Sequence, residues 1–311
     1  MSISFDINYQ GRLMSRADRY NRRVLTEGRL TPSQATILTR RFQAEVGLET
    51  DGMLGPETQA VLDGWSPIAA RSGSPWSGRP RSQSWHGQMY GLVVHTTGSG
   101  ILRRAARNGI DPVTQAVLWY EKSKGTHYVV GYQGEIIQVA SEHQLAYGVG
   151  MRDQRAAEDA PGGWESRLSA DLVSRWRQRW TRLGIDRPSE LFPGAEANTC
   201  YIHAELPPLP EAQRGNGAAE GLWYTAAQHE AVARLASDIA RRNNFSGVPV
   251  WWRSSRIVGH EDIAPINRPG WDPGWLRAEP RFDWTIVYAQ VESLCAAEVP
   301  LVGDLTSNAI R

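Results

Sequence analysis

The sequence predicts an α/β fold, a mixed central sheet flanked by helices, preceded by a small N-terminal α-helical bundle. Three observations support this fold class. Short apolar strands alternate with helical segments over about 200 residues after residue 86. Residues 9 to about 65 carry only helical periodicity. Between the two lies a stretch rich in Ser, Pro, Gly and Arg, which is typical of a linker.

These boundaries divide the 311 residues into four parts. We expect a helical domain at 1–65, a linker at 66–85, an α/β domain at 86–295 and a C-terminal tail at 296–311. A chain of this length buries a core without the help of disulfides. Its two cysteines, Cys200 and Cys295, are too few for a disulfide framework and are expected to be free thiols.

The N-terminal part predicts two short helices joined by a turn. Apolar residues recur at every fourth position and form the stripe of the first helix: Leu38, Phe42 and Val46. The turn contains Asp51-Gly52. Pro56 then stands at the first position of the second helix, where a proline is tolerated.

The C-terminal part predicts strands that end in histidines. A buried-type strand at 92–94 ends at His95, and a strand at 257–258 leads into His260. The segment 127–139 contains two apolar runs around a Gln-Gly turn and predicts a hairpin.

Helices are predicted between these strands. One lies around 113–120, and a second follows a capping box formed by Thr225 and Gln228. Apolar residues through 232–239 continue the second helix at helical spacing, so we expect it to cover one face of the sheet.

Charge and hydropathy exclude several functions. Lys and Arg total 34 against 33 acidic residues, a net charge of +1, so no overall field attracts nucleic acid. No apolar run has the roughly 18 residues of a membrane-spanning helix. Residues 1–20 contain no apolar run typical of a secretory signal, so we expect synthesis in the cytoplasm without a signal peptide.

Two histidines and a carboxylate are candidate metal ligands. His95 and His260 end predicted strands, and Asp272 follows twelve residues after His260 in an Asp-Pro-Gly context. Two imidazoles and one carboxylate leave one open position on a tetrahedral Zn²⁺, as in catalytic zinc sites. The alternative is that each histidine is structural, and spacing alone does not decide between them.

Four sequence blocks carry a resemblance to a known family. They are Val93 to Thr97, His127 to Val130 with Gly134, Ala204 to Leu206, and Gly259 to Pro265 continuing to Asp272-Pro273-Gly274. In this order they resemble the zinc N-acetylmuramoyl-L-alanine amidases of the amidase_2 family, which includes phage lysozyme-like amidases and peptidoglycan recognition proteins. The resemblance implies that His95, His260 and Asp272 bind Zn²⁺.

The resemblance also implies two catalytic residues. Glu205 aligns with the family's proton-shuttling glutamate. Some relatives use a tyrosine before the His-Tyr strand, but Thr126 stands there, which favours Glu205. Relatives often carry a basic group two residues before the zinc aspartate, a position held here by Gly270. Arg268 is the candidate to stabilise the oxyanion in its place. The alternatives are a salt-bridged Glu205 and a surface Arg268.

A second resemblance covers the N-terminus. Phe42-Gln43, Gly47-Leu48 and the run from Asp51 to Thr58 resemble the peptidoglycan-binding domain 1 repeat. This resemblance implies a module that binds the bacterial cell wall. Its residues are mainly turn and helix-start residues and do not name the sugar contacts.

Residues 150–198 form an insertion longer than the family core needs. Arginines are interleaved with three tryptophans: Trp164, Trp176 and Trp180. Such aromatics either stack on sugar rings or pack an amphipathic helix onto the core, and we favour packing. The remaining histidines, His86, His127, His143, His203 and His229, are expected to be structural.

The resemblances imply a peptidoglycan hydrolase that cleaves the amide between N-acetylmuramic acid and L-alanine. A phage endolysin released through a holin and an antibacterial toxin delivered by a phage tail or secretion system both fit. The alternatives are a non-catalytic peptidoglycan recognition protein and a cytoplasmic amidase that recycles soluble muropeptides. All three zinc ligands are present, which argues against the former, and an attached wall-binding domain argues against the latter.

Overall fold

The computed structural model describes residues 17, 20–21, 31–79, 91–149, 163–186, 191, 197–210, 223–245, 256–268, 271–274 and 282–297. Within these ranges the side chains of 164, 243–245 and 295–297 are not described. The predictions made for His86, Gly270, the side chains of Trp164 and Cys295, residues 80–85 of the linker and most of the C-terminal tail therefore lie outside the described residues.

A six-stranded sheet organises the described part of the chain. Its strands are β1 (Ala70–Arg71), β2 (Gly91–Thr96), β3 (Tyr128–Val130), β4 (Ile136–Gln138), β5 (Tyr201–Leu206) and β6 (Ile257–Gly259). They are ordered β1-β4-β3-β5-β2-β6. The β3–β4 hairpin is antiparallel and the other pairs are parallel. The predicted mixed α/β sheet and its hairpin are thus confirmed.

Helices cover the sheet and form the N-terminal part. They are α1 (Pro32–Glu45), α2 (Pro56–Leu62), α3 (Gly98–Asn108), α4 (Pro112–Ser123), α5 (Ala170–Leu183), α6 (Ala197–Cys200), α7 (Ala226–Phe245), α8 (His260–Ile263) and α9 (Trp284–Ala297). The predicted capping box precedes α7, where the Thr225 and Gln228 side chains bond to each other's backbone N–H groups. No helix among the described residues is long and apolar enough to cross a membrane.

Strand alternation divides the core into two faces. Leu92 and Val94 point to the face covered by α7 and α9, in one cluster with Leu235 and Ile239. Val93 points to the opposite face, where α5 packs. The predicted role of the long helix is confirmed.

The insertion helix α5 belongs to the core. Trp176 and Trp180 are 0% and 1% exposed and pack against the sheet. Both rings are therefore inaccessible to a polysaccharide, and the packing interpretation is confirmed for them. Cys200 is buried in the same cluster and is not part of a disulfide.

Gln43 holds the N-terminal helices together. Its side-chain amide donates to the Asp51 carboxylate at 2.7 Å and to the Thr58 hydroxyl at 3.0 Å, and its carbonyl accepts from the Gly52 N–H at 2.7 Å. Gly52 has φ +77°, which a residue with a side chain rarely adopts. The predicted stripe is wrong at Leu38, which is 43% exposed, because Ala35, Thr39 and Phe42 face inward instead.

Residues 66–79 of the predicted linker are joined to the sheet by a short strand and by hydrogen bonds. Ala70–Arg71 forms edge strand β1, and Trp76 is buried with its indole N–H bonded to the Thr126 carbonyl at 3.1 Å. Ser66 donates its N–H to Gln138 at 2.7 Å and its hydroxyl to Asp238 at 2.8 Å. Residues 66–79 therefore form a strap, an irregular segment held against the fold by hydrogen bonds to distant parts of the chain.

Candidate active site

Three neighbouring parallel strands bring the candidate residues together. In the register of β2 and β5, His95 lies directly opposite Glu205. On the other side of β2, Val94 pairs with Gly259, so His260 at the start of α8 comes next to His95. The carboxyl ends of parallel strands share one edge of a sheet, which is where ligands bind in open α/β folds.

Three buried side-chain atoms converge at this edge. His95 Nδ1 lies 3.1 Å from His260 Nδ1, and Asp272 Oδ2 lies 2.9 Å from His260 Nδ1 and 3.9 Å from His95 Nδ1. A triangle with these sides leaves room for an ion at about 2.0 Å from each atom, the usual zinc–ligand distance. Among the described residues, this is the group of His, Cys, Asp and Glu side chains that could hold a metal ion.

The protonation states of His260 and Asp272 favour the binding of a cation. Burial lowers the pKa of His260 to about 4, although Asp272 acts in the opposite direction. Burial alone would raise the pKa of Asp272, but His260 and His95 outweigh it and hold that pKa well below its usual value. At neutral pH the site therefore offers a neutral imidazole and an ionised carboxylate, the forms that bind metals. The residues present fit Zn²⁺.

The Asp272 carboxylate is held at both oxygens. Oδ1 accepts the backbone N–H of Thr96 at 2.7 Å, and Oδ2 accepts Arg268 Nε at 3.1 Å. The Arg268 guanidinium lies 4.7 Å above the Trp271 ring and its side chain is 32% exposed. Arg268 thus brings a positive charge to the open side of the metal candidates.

The loop that carries Asp272 is tied to helix α8. The Glu261 N–H bonds to the Asp272 carbonyl at 3.0 Å, and the Glu261 carboxylate accepts the Gly274 N–H at 2.9 Å. A Cβ at Gly259 would lie 2.8 Å from the Pro273 ring, so the glycine permits this close approach. The strand and the loop are therefore held at a fixed separation.

Glu205 lies buried beside the three candidates. It is 6% exposed, and its Oε2 has no hydrogen-bond partner among the described residues. Burial raises the pKa of Glu205 to about 7, with His95 opposing and Asp272 adding to the shift. A group that titrates near neutral pH is suited to accept and return a proton.

Tyr120, in the last turn of α4, lies close enough to Glu205 for each group to shift the pKa of the other. Burial raises the pKa of Tyr120 well above its usual value, and the charge of Glu205 raises it further. Tyr120 is therefore protonated at neutral pH, so its O–H is available as a donor beside the carboxylate. Sequence reasoning missed this residue because it lies in the apolar pattern of a helix and has no neighbouring catalytic block.

His203, which the sequence predicted to be structural, lies directly beside a metal candidate. Its Nδ1 lies 2.9 Å from His95 Nε2, and the residue is fully buried. A signal was present in the sequence: His203 stands two residues before Glu205 on a strand, so both side chains share one face. His127 lies beside the hairpin and contacts His203.

The insertion helix supports the turn that carries His260. Arg179, 4% exposed, makes two bonds to the Asp262 carboxylate at 3.3 and 3.1 Å. The same carboxylate accepts the Gly259 N–H at 2.9 Å. Arg179 also bonds to the Tyr288 hydroxyl at 2.6 Å. Helix α5 is thus joined to the residues flanking a metal candidate by a buried ion pair.

Comparison with known proteins identifies the family of the chain. Residues 86–275 match the model of the family Amidase_2, described as N-acetylmuramoyl-L-alanine amidase. No curated protein matches the chain. The crystal structure of a selenomethionine derivative of AmpD is similar at 21% identity, over 75% of this chain and 97% of that chain, with a TM-score of 0.39. The family match spans more than half of the chain, so the chain belongs to the N-acetylmuramoyl-L-alanine amidase family and is a peptidoglycan amidase.

Proposed function

We propose that this amidase uses a zinc ion, held by His95, His260 and Asp272, to hydrolyse the amide between N-acetylmuramic acid and L-alanine. The observation that carries the proposal is the convergence of His95 Nδ1, His260 Nδ1 and Asp272 Oδ2 within 3.9 Å of one another. When bound, the ion would polarise the amide carbonyl and lower the pKa of water to about 7.

Glu205 is proposed as the general base and acid. It takes a proton from the attacking water and returns it to the leaving amine of L-alanine. Its register opposite His95 supports this role, because the carboxylate then lies next to the metal candidates. Its raised pKa supports it as well, since the proton must be both accepted and released near neutral pH.

Arg268 is proposed to stabilise the negative charge that develops on the carbonyl oxygen. Its guanidinium is anchored through Nε by Asp272 and stacks over Trp271. A preorganised cation in a partly buried site stabilises such a charge more strongly than water does. The one-third exposure of Arg268 leaves it accessible to substrate.

The N-terminal helices are proposed to bind the polymer. Helices α1 and α2 with the Asp51-Gly52 turn resemble a peptidoglycan-binding repeat, and binding would raise the effective concentration of the enzyme at the wall. Two wall-directed modules in one chain fit a phage endolysin or a delivered antibacterial toxin. We propose that the protein reaches the wall either by release through a holin or by delivery through a phage tail or a secretion system.

Digestion of purified sacculi with mass spectrometry of the products tests the reaction. We expect free stem peptides that begin with L-alanine, together with intact glycan strands. Wild-type protein should bind one zinc ion by elemental analysis, and His95→Ala should lose both zinc and activity. Cleaved glycan strands, or full zinc occupancy in a folded His95→Ala protein, would contradict the proposal. Binding to sacculi without any product would identify a recognition protein instead.

A further inference from the structure

A second histidine stands directly behind one of the proposed metal ligands. His203 Nδ1 lies 2.9 Å from His95 Nε2, on the side of the ring away from Asp272 and His260. The two rings are 5.2 Å apart between centroids, and both residues are at most 1% exposed. This contact joins adjacent strands β2 and β5, so the two rings have a fixed relative position.

The orientation of His203 is set by its other neighbours. Its backbone N–H donates to His127 Nδ1 at 3.0 Å, and its carbonyl accepts the Thr126 hydroxyl at 2.8 Å. The His127 ring stacks on the His203 ring at 5.7 Å with an angle of 11° between the planes. His127 Nδ1 accepts a hydrogen bond and carries no proton, so its Nε2 donates to the Gln144 carbonyl at 3.0 Å.

Gly148 provides the space for this ring. A Cβ at Gly148 would lie 2.7 Å from His203 Nδ1 and 2.9 Å from a backbone carbonyl. Any side chain at 148 would thus displace the nitrogen that faces His95. The space beside Gly148 therefore permits one position of the His203 ring.

Once a metal is bound to His95, the hydrogen bond between His95 and His203 permits one placement of the protons on the two rings. A ring nitrogen that binds a cation carries no proton, so a metal on His95 Nδ1 requires the proton of that neutral ring on Nε2. His95 Nε2 is then a donor, and the atom 2.9 Å away, His203 Nδ1, must be the acceptor. The proton of neutral His203 therefore lies on its own Nε2.

We propose that His203 is a positioning residue that fixes the tautomer and the ring orientation of the metal ligand His95. Histidine ligands generally donate their second ring N–H to a carboxylate, carbonyl or water, and losing that partner typically costs 10- to 100-fold in metal affinity. In this chain a neutral imidazole takes that place. The inference rests on the metal site of the proposed function.

Two variants of similar shape test the proposal. His203→Asn places a carbonyl oxygen where His203 carries Nδ1, whereas His203→Leu places a methyl group there. We expect His203→Leu to weaken zinc affinity about 10- to 100-fold in chelator competition with the full chain. His203→Asn should restore most of that loss. Thermal unfolding of the metal-free proteins monitors folding, so a packing defect is measured separately from a loss of affinity.

Histidine-ring ¹H–¹⁵N spectra of the zinc-loaded wild type give a second readout that a purely structural role would not produce. We expect His95 to be protonated at Nε2 and His203 to be unprotonated at Nδ1. Unchanged zinc affinity in His203→Leu, equal losses in both variants, or a proton on His203 Nδ1 would overturn the inference while the metal site stands. A wild type that binds no zinc would overturn the metal site itself.

Discussion

Replacing Glu205 by glutamine separates catalysis from binding. The amide keeps the size of the side chain and an oxygen that can accept a hydrogen bond, but it takes up no proton. General acid–base catalysis typically contributes 10²- to 10⁴-fold. We therefore expect kcat to fall by about that factor, a barrier increase of about 3 to 5 kcal/mol. Zinc content and muropeptide affinity should stay at the wild-type level.

The dependence of activity on pH tests the role of Glu205 more specifically. Glu205 must be ionised to accept a proton, and its pKa is raised to about 7. Activity should therefore rise with pH through the pKa of Glu205. A bound cation favours the ionised form, so the midpoint of this acid limb should lie at or below pH 7. The limb should disappear in Glu205→Gln.

The assay is release of stem peptide from a soluble muropeptide between pH 4 and 9, with zinc measured in the same samples. Glu292→Gln, an exposed position on α9, is the matched control and should match wild type throughout. Near-normal turnover in Glu205→Gln, or an unchanged acid limb, would refute the role of Glu205 and leave the proton transfer to another group.

Further predictions concern the surroundings of the site. Tyr120→Phe removes a hydroxyl that can donate to the Glu205 carboxylate. A hydrogen bond to a charged group is worth about 1.5 to 3 kcal/mol, so kcat should fall about 10-fold or more at constant zinc content. Tyr147→Phe, 56% exposed, should be neutral. Trp176→Ala should lower the free energy of unfolding by about 3 to 5 kcal/mol in urea titration, and Trp119→Ala, 37% exposed, by much less. Deleting residues 1–60 retains the Asp63 and Gly64 carbonyls that bond to the sheet domain. The shortened protein should therefore hydrolyse soluble muropeptides at the wild-type rate. It should hydrolyse sacculi more slowly, because it lacks the helices proposed to bind the wall. Equal losses on both substrates would contradict the proposed role of the N-terminal helices.

The amino-acid sequence by itself determined the α/β class, the hairpin and the long helix. These features depend on local periodicity, capping and turns, and a capping box such as Thr225 with Gln228 acts within one turn of helix. The candidate metal ligands could also be predicted from the sequence, because His95 and His260 stand at strand ends in blocks that resemble a family. Their convergence with Asp272 follows from the order of parallel strands.

Only the tertiary structure decided which other polar residues belong to the site. His203 reaches His95 from 108 positions away, and Tyr120 reaches Glu205 from a different helix. The sequence did not separate the strap around Ser66 from a free linker, because its hydrogen-bond partner Asp238 lies 172 positions away. Local composition reports how a segment prefers to bend, whereas burial and hydrogen bonding depend on the distant segments that pack against it.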